Sequence, residues 1–156
     1  MVEPEAERLV RGASLRVTRP RIAVLSVIHE VPHQDVGTIT RLVRKRIGAV
    51  STQTVYGNLD ALVEARLARR IDLPGSPALY EGQTWDDHLH AVCRDCGVVT
   101  DVDGPPGGIG LPTTHVDGFA IDGVDVTFRG VCPDCQTEGR RRGPKPAQTE
   151  LTTTKE

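Results

Sequence analysis

Hydrophobic positions in the first third of the chain recur at helical spacing. In "RVTRPRIAVLSVIHEV", Ile22, Leu25 and Ile28 share one face and Thr18 stands where an N-cap belongs. Pro20 falls in the first turn, where its missing N–H costs nothing, and Pro32 ends the run. In "DVGTITRLVRKRIG" the apolar positions are Ile39, Leu42, Val43 and Ile47, and Gly48 stops the helix. A third helix is predicted in "VSTQTVYGNLDALVEARLA", capped by Ser51, with Val55, Leu59, Leu62 and Val63 turned inward. "LARRIDLPGSPALYEG" then reads as two short strands about a Pro-Gly-Ser turn. Three helices followed by a hairpin is the order of a winged helix-turn-helix, whose third helix enters the major groove of DNA.

The outer face expected for that third helix offers Ser51, Thr54, Tyr56 and Asn58. These side chains can reach phosphates or base edges, and neighbouring arginines supply charge. From Leu89 the period shifts toward two, and "LHAVC", "GVVTDV" and "GFAIDGVDVTFRGVC" are expected as strands. The Gly/Pro-rich stretch 103–112 is expected as a loop. After Cys135 no apolar face remains, so 139–156 is expected as a disordered basic tail.

Charge sharpens this division. Residues 1–82 carry 12 Lys/Arg against 9 Asp/Glu, residues 83–138 carry 2 against 10, and residues 139–156 carry 5 against 2. A basic front part and an acidic second part imply two domains with different partners. With 2 Phe, 2 Tyr and 1 Trp the core must be mainly aliphatic. No stretch approaches the roughly 20 apolar residues that span a bilayer, so a cytoplasmic protein without a membrane partner is expected.

In a reducing compartment, paired cysteines hold metal or do redox chemistry. Cys93-x-x-Cys96 and Cys132-x-x-Cys135 are two such units with 35 residues between them, each expected on a turn. Two turns can aim four thiolates at one point, the tetrahedral site of a structural Zn²⁺ ion. A thioredoxin-like dithiol would need one unit at a helix start in a βαβ setting. His88 and His90 are two apart on an extended segment and therefore share a face. Glu81, Asp101 and His33 could join them, giving a donor set suited to Fe²⁺, Mn²⁺ or Zn²⁺ rather than Cu⁺. The alternative is a pair of ordinary surface histidines.

The phrases "LRVTRPRIAVLSVI", "STQTVYGNLDAL", "DDHLHAVCRDCGVVTDVDG" and "RGVCPDC" together resemble the ferric uptake regulator family of bacterial metal-dependent repressors, over roughly 12–138. Among its branches the chain is most similar to the actinobacterial peroxide-responsive regulators of catalase-type genes. The resemblance implies an α+β homodimer: a winged-helix DNA-binding domain over 1–82, a hinge over 83–87, and a small α/β dimerisation and metal-sensing domain with a Cys₄ zinc site over 88–138. It places structural zinc on Cys93, Cys96, Cys132 and Cys135, and regulatory Fe²⁺ or Mn²⁺ on His33, Glu81, His88, His90 and Asp101. It puts Arg16 in reach of the minor groove and Tyr56 against thymine methyls of a palindromic, AT-rich operator. Peroxide sensing would proceed by Fe²⁺-catalysed oxidation of His33 or His88. Where many members carry further histidines, this chain reads "AIDGVDVTF" over 120–128, and His115 alone does not replace them. Competing expectations are a repressor that senses iron supply, a small metallohydrolase built on His88 and His90, and a purely structural zinc dimerisation module.

Overall fold

Four helices, rather than three, precede the hairpin in this computed structural model, which describes residues 1–73, 75–82, 88–104, 115–116, 118–120 and 126–138. The additional helix, α1 (Glu3–Gly12), has Pro4 in its first turn, Glu3 and Glu5 at its N-terminus and Arg11 at its C-terminus, all favourable to the helix dipole. Its buried stripe is only Ala6 and Val10, one turn apart, too short for apolar periodicity to announce it.

The chain divides into two compact units, Met1–Thr84 and Trp85–Glu156. In the first, α2 (Arg19–Glu30) starts at Thr18, whose side chain accepts from Arg21 N–H. The next helix, α3 (Val36–Ile47), starts at Asp35, which accepts from both the Thr38 N–H and its hydroxyl at 3.0 Å. The fourth, α4 (Thr52–Glu64), starts at Ser51 with a 3.0 Å bond from Thr54 N–H. Leu25 and Ile28 of α2, Ile39 and Val43 of α3, and Val55, Leu59 and Leu62 of α4 are each 0% exposed and form one aliphatic core. Between α3 and α4, Gly48 adopts φ 85° and ψ −151°, a conformation open essentially to glycine alone.

The hairpin forms as expected. Strand β2 (Ala68–Ile71) pairs antiparallel with β3 (Leu79–Gly82), in register Ala68↔Gly82 to Ile71↔Leu79. A two-residue strand, β1 (Gln34–Asp35), adds to the far edge of β3 and was not apparent in the sequence. Tyr80 of β3, 2% exposed, is part of the core.

In the second unit, β4 (Leu89–Cys93) is the centre of a three-stranded sheet. It pairs antiparallel with β5 (Val99–Val102) and parallel with β8 (Thr127–Gly130). A separate pair joins β6 (His115–Val116) to β7 (Phe119–Ala120). The short helix α5 (Pro133–Glu138) follows β8, so the second cysteine pair sits at a helix start rather than on an isolated turn. The hinge 83–87, most of the Gly/Pro stretch (105–112), 121–125 and the tail 139–156 lie outside the described residues.

Candidate metal centres and nucleic-acid interface

Parallel pairing explains how cysteines 35 residues apart share one site. Cys93 ends β4 opposite Gly130 of β8. The ladder continues as Arg94 N–H donates to the Gly130 carbonyl at 2.8 Å, which delivers the start of α5 beside the first pair. On the β4 side the chain turns back tightly: Gly97 N–H donates to the Cys93 carbonyl at 2.9 Å, with Gly97 at φ 78°. One sulfur from each of Cys93, Cys96, Cys132 and Cys135 lies within 4.8 Å of the others, and all four thiols are free. Cys96 Sγ and Cys132 Sγ are 3.7 Å apart. Four sulfurs about 2.3 Å from a tetrahedral zinc would be about 3.8 Å from one another, so the donor set fits that ion.

The local electrostatics also suit a metal. Cys132 N–H points at Cys93 Sγ at 3.3 Å. That donor, with the Cys96 N–H, holds the Cys93 thiol down to about 6, against an ordinary value near 9. Cys135, beside the Cys132 thiol, is pushed up instead. Backbone donors thus favour the thiolate of Cys93, the form in which sulfur binds a cation.

The histidines and carboxylates fall into two groups, one in each unit. In the first unit His33 follows Pro32 and holds φ 57°, a left-handed conformation uncommon outside glycine. Its Nε2 lies 2.9 Å from Glu81 Oε2, and Arg69 Nη1 lies 3.6 Å from Glu81 Oε1. Glu81 is 3% exposed, and its cross-strand partner in the hairpin is Arg69. Register counted out from the Pro-Gly-Ser turn gives that pairing, which sequence reading overlooked.

In the second unit the period-two expectation holds. His88 Nε2 and His90 Nε2 each lie 3.7 Å from Asp101 Oδ1, and the two rings stand nearly perpendicular with centroids 5.0 Å apart. His90 and Asp101 are directly opposed across β4 and β5. Two imidazoles close to one carboxylate oxygen are donors of the kind that could hold a divalent ion.

The α3–α4 pair carries the surface expected to meet DNA. Ser51 and Thr54 are exposed, their hydroxyls 2.8 Å apart, and Tyr56 is 44% exposed. Basic Arg44, Lys45 and Arg46 close α3, and Arg44 Nε donates to the Val50 carbonyl, bracing the turn into α4. Arg16 is exposed in the segment between α1 and α2. Asn58 departs from expectation. It is 7% exposed, because it lies three residues after Val55 and four before Leu62, on the buried stripe rather than the outer face. Its Oδ1 accepts from Arg21 Nε at 3.1 Å and its Nδ2 donates to the Thr54 carbonyl at 2.7 Å, so it links α2 to α4.

Comparison with known proteins identifies the family. The model of the ferric uptake regulator family matches residues 12–109. The transcriptional regulator FurA of Mycobacterium tuberculosis is 44% identical over 140 residues, 89% of this chain and 95% of its own. Ferric uptake regulation protein 1 of Mycolicibacterium fortuitum is 46% identical over 121 residues, 77% of this chain and 75% of that one. The solved ferric uptake regulator of Helicobacter pylori shares the fold, with a TM-score of 0.67 at 20% identity over 87% of this chain and 95% of that one. Among the described residues no helix is long and apolar enough to cross a membrane. With its family pattern matched across most of its length, this chain belongs to the ferric uptake regulator family and is a metal-responsive transcriptional regulator rather than an enzyme.

Proposed function

We propose that the chain is a homodimeric repressor in the cytoplasm. It grips a palindromic, AT-rich operator in double-stranded DNA when a regulatory Fe²⁺ or Mn²⁺ ion is bound. It releases that DNA when hydrogen peroxide reacts with the iron form, which places catalase-type genes under its control. The observation that carries this reading is the division of the donors. His33 and Glu81 belong to the first unit, His88, His90 and Asp101 to the second, with 83–87 in between. One ion taken by both groups fixes the DNA-binding unit of each protomer against the unit that dimerises. The ion thereby selects the arrangement whose two α4 helices match the half-sites, and without it operator affinity falls. Cys93, Cys96, Cys132 and Cys135 hold a Zn²⁺ ion that builds the second unit and takes no part in the switch. Ser51, Thr54 and Tyr56 meet the major groove and Arg16 the minor groove.

With the second oxygen leaving as water and the ring giving up two electrons, a Fe²⁺ ion held by these residues would catalyse transfer of one peroxide oxygen atom to a ligand imidazole. Either His33 or His88 receives it, and the altered ring is a poorer ligand, so the two units part. Mn²⁺ supports DNA binding without this reaction. The test is anaerobic binding to the duplex upstream of the chain's own gene, with Fe²⁺- or Mn²⁺-loaded protein, before and after stoichiometric peroxide. Release of DNA by the iron form alone, with one oxygen added to the peptide holding His33 or His88, is the expected result. A second reading follows from Glu81, a glutamate in a ligand position shared with iron sensors. If both metal forms keep hold of DNA after peroxide, the same donors report iron supply instead.

A further inference from the structure

Arg21, near the start of α2, ties together two segments assigned to DNA. Its Nε donates to Asn58 Oδ1 on α4 at 3.1 Å, and its Nη1 donates to the Arg16 carbonyl at 2.7 Å. Asn58 in turn donates to the Thr54 carbonyl at 2.7 Å, one turn back along α4. A guanidinium presents its donors in a rigid planar fork, so one side chain making both bonds sets the separation of its two acceptors. Asn58 is buried, which keeps water from competing for its end of the chain. Arg16 itself lies between α1 and α2, outside either helix, and its side chain is exposed. Leu15 and Val17, on either side of Arg16, pack against the core, and the bracket adds a polar tie from the Arg16 backbone to α4.

We propose that Arg21 is a positioning residue for operator binding: by bridging Asn58 and the Arg16 backbone, it holds the Arg16 segment in register with α4. A side chain in the minor groove and a helix in the adjacent major groove then engage one site together. The inference rests on the repressor reading, in which Arg16 and α4 both touch DNA. In this proposal Arg21 acts through Asn58 and the Arg16 backbone rather than through a DNA contact of its own. Cutting the bracket leaves Arg16 its charge but not its place, so specific binding suffers while sequence-independent attraction to phosphates persists.

The experiment uses the full chain loaded with Mn²⁺. Its probes are the duplex upstream of its own gene and an unrelated duplex of equal length. Arg21→Ala and Asn58→Ala sever the bracket from opposite ends, and the second does so without removing a charge. Each should weaken binding to the upstream duplex about tenfold, the scale of one lost specific contact. Asn58→Ala should leave binding to the unrelated duplex unchanged. In an Arg16→Ala background, either change should cost no more than about a further twofold, because the residue being positioned is gone. Full additivity on Arg16→Ala overturns the proposal, since a direct phosphate contact or a general loss of stability acts equally in that background. So does unchanged specific binding by both single variants. Failure of the wild-type chain to prefer the upstream duplex overturns the repressor reading itself, a result distinct from additivity.

Discussion

Arg69 Nη1 lies 3.6 Å from one oxygen of the Glu81 carboxylate while His33 Nε2 lies 2.9 Å from the other. Glu81 is thus shared between a permanent cation and an imidazole proposed as a metal ligand. A divalent ion arriving at Glu81 meets the charge of Arg69, a repulsion only partly screened because that side chain is 26% exposed. Arg69→Gln should therefore tighten Mn²⁺ binding by about tenfold, a discounted share of the Coulomb energy for charges about 6 Å apart. An anaerobic titration followed by the EPR signal of free Mn²⁺ measures it. Unchanged or weaker binding would show that Arg69 serves to orient the carboxylate instead.

The cysteine centre predicts that zinc and the order of the second unit are lost together. Cys132 contributes a sulfur to the cluster and the backbone N–H that lowers Cys93. Cys132→Ser should purify with almost no zinc where the wild-type chain carries one ion. Because folding and metal binding are one equilibrium in small zinc units, β4, β5 and β8 should lose amide-exchange protection while α1 to α4 keep theirs. Elemental analysis with hydrogen exchange checks both halves. Full zinc content in this variant would move the site elsewhere.

Gly48 sets the turn between α3 and α4 at φ 85° and ψ −151°, with no atom near the position a Cβ would take. Space is available, so any cost of Gly48→Ala is conformational rather than a clash. About 2 kcal/mol of destabilisation is expected, read from the urea midpoint at constant slope. A neutral substitution would mean the turn relaxes to an ordinary conformation.

Much of this was legible in the chain because local rules and tertiary packing agree in the first unit. Thr18 and Ser51 cap the helices they precede, and the apolar stripes of α2, α3 and α4 are the core. The strand alternation that puts His88 and His90 on one side holds, as does the meeting of the two cysteine pairs. What escaped notice depends on long-range geometry. Strand β1 exists only because β3 offers it an edge, and its two residues carry no periodicity. Helix α1 has too short an apolar stripe to stand out. The chemistry of Asn58 suggests the outer face, whereas helical arithmetic from Val55 and Leu62 puts it inside, where Arg21 supplies its partner. Residue type suggests the outer face there, and helical position buries the side chain instead.

His29, near the end of α2, gives the protein an acid-sensitive point outside either metal centre. Gly82 of β3 packs against its ring so closely that a Cβ there would lie 2.3 Å from ring atoms, which leaves the imidazole little room to turn toward water. Burial lowers its pKa below the ordinary 6.5, the Met1 amino group lowers it further, and Glu5 only partly offsets them. The unfolded chain then binds a proton more readily than the folded one, so stability rises with pH across this range. The contribution is complete above the ordinary value and is progressively lost as pH falls from there toward the folded value. In urea unfolding of the zinc-loaded, Mn²⁺-free chain, the midpoint should fall between about pH 7.5 and pH 5.5. His29→Gln, which cannot take up a proton, should fall by less over the same interval. The difference between the two curves isolates His29 from His33, His88 and His90, which both proteins retain. Parallel curves would show that the folded protein accommodates the imidazolium without penalty, and a steeper fall in the variant would reverse the sign of the argument.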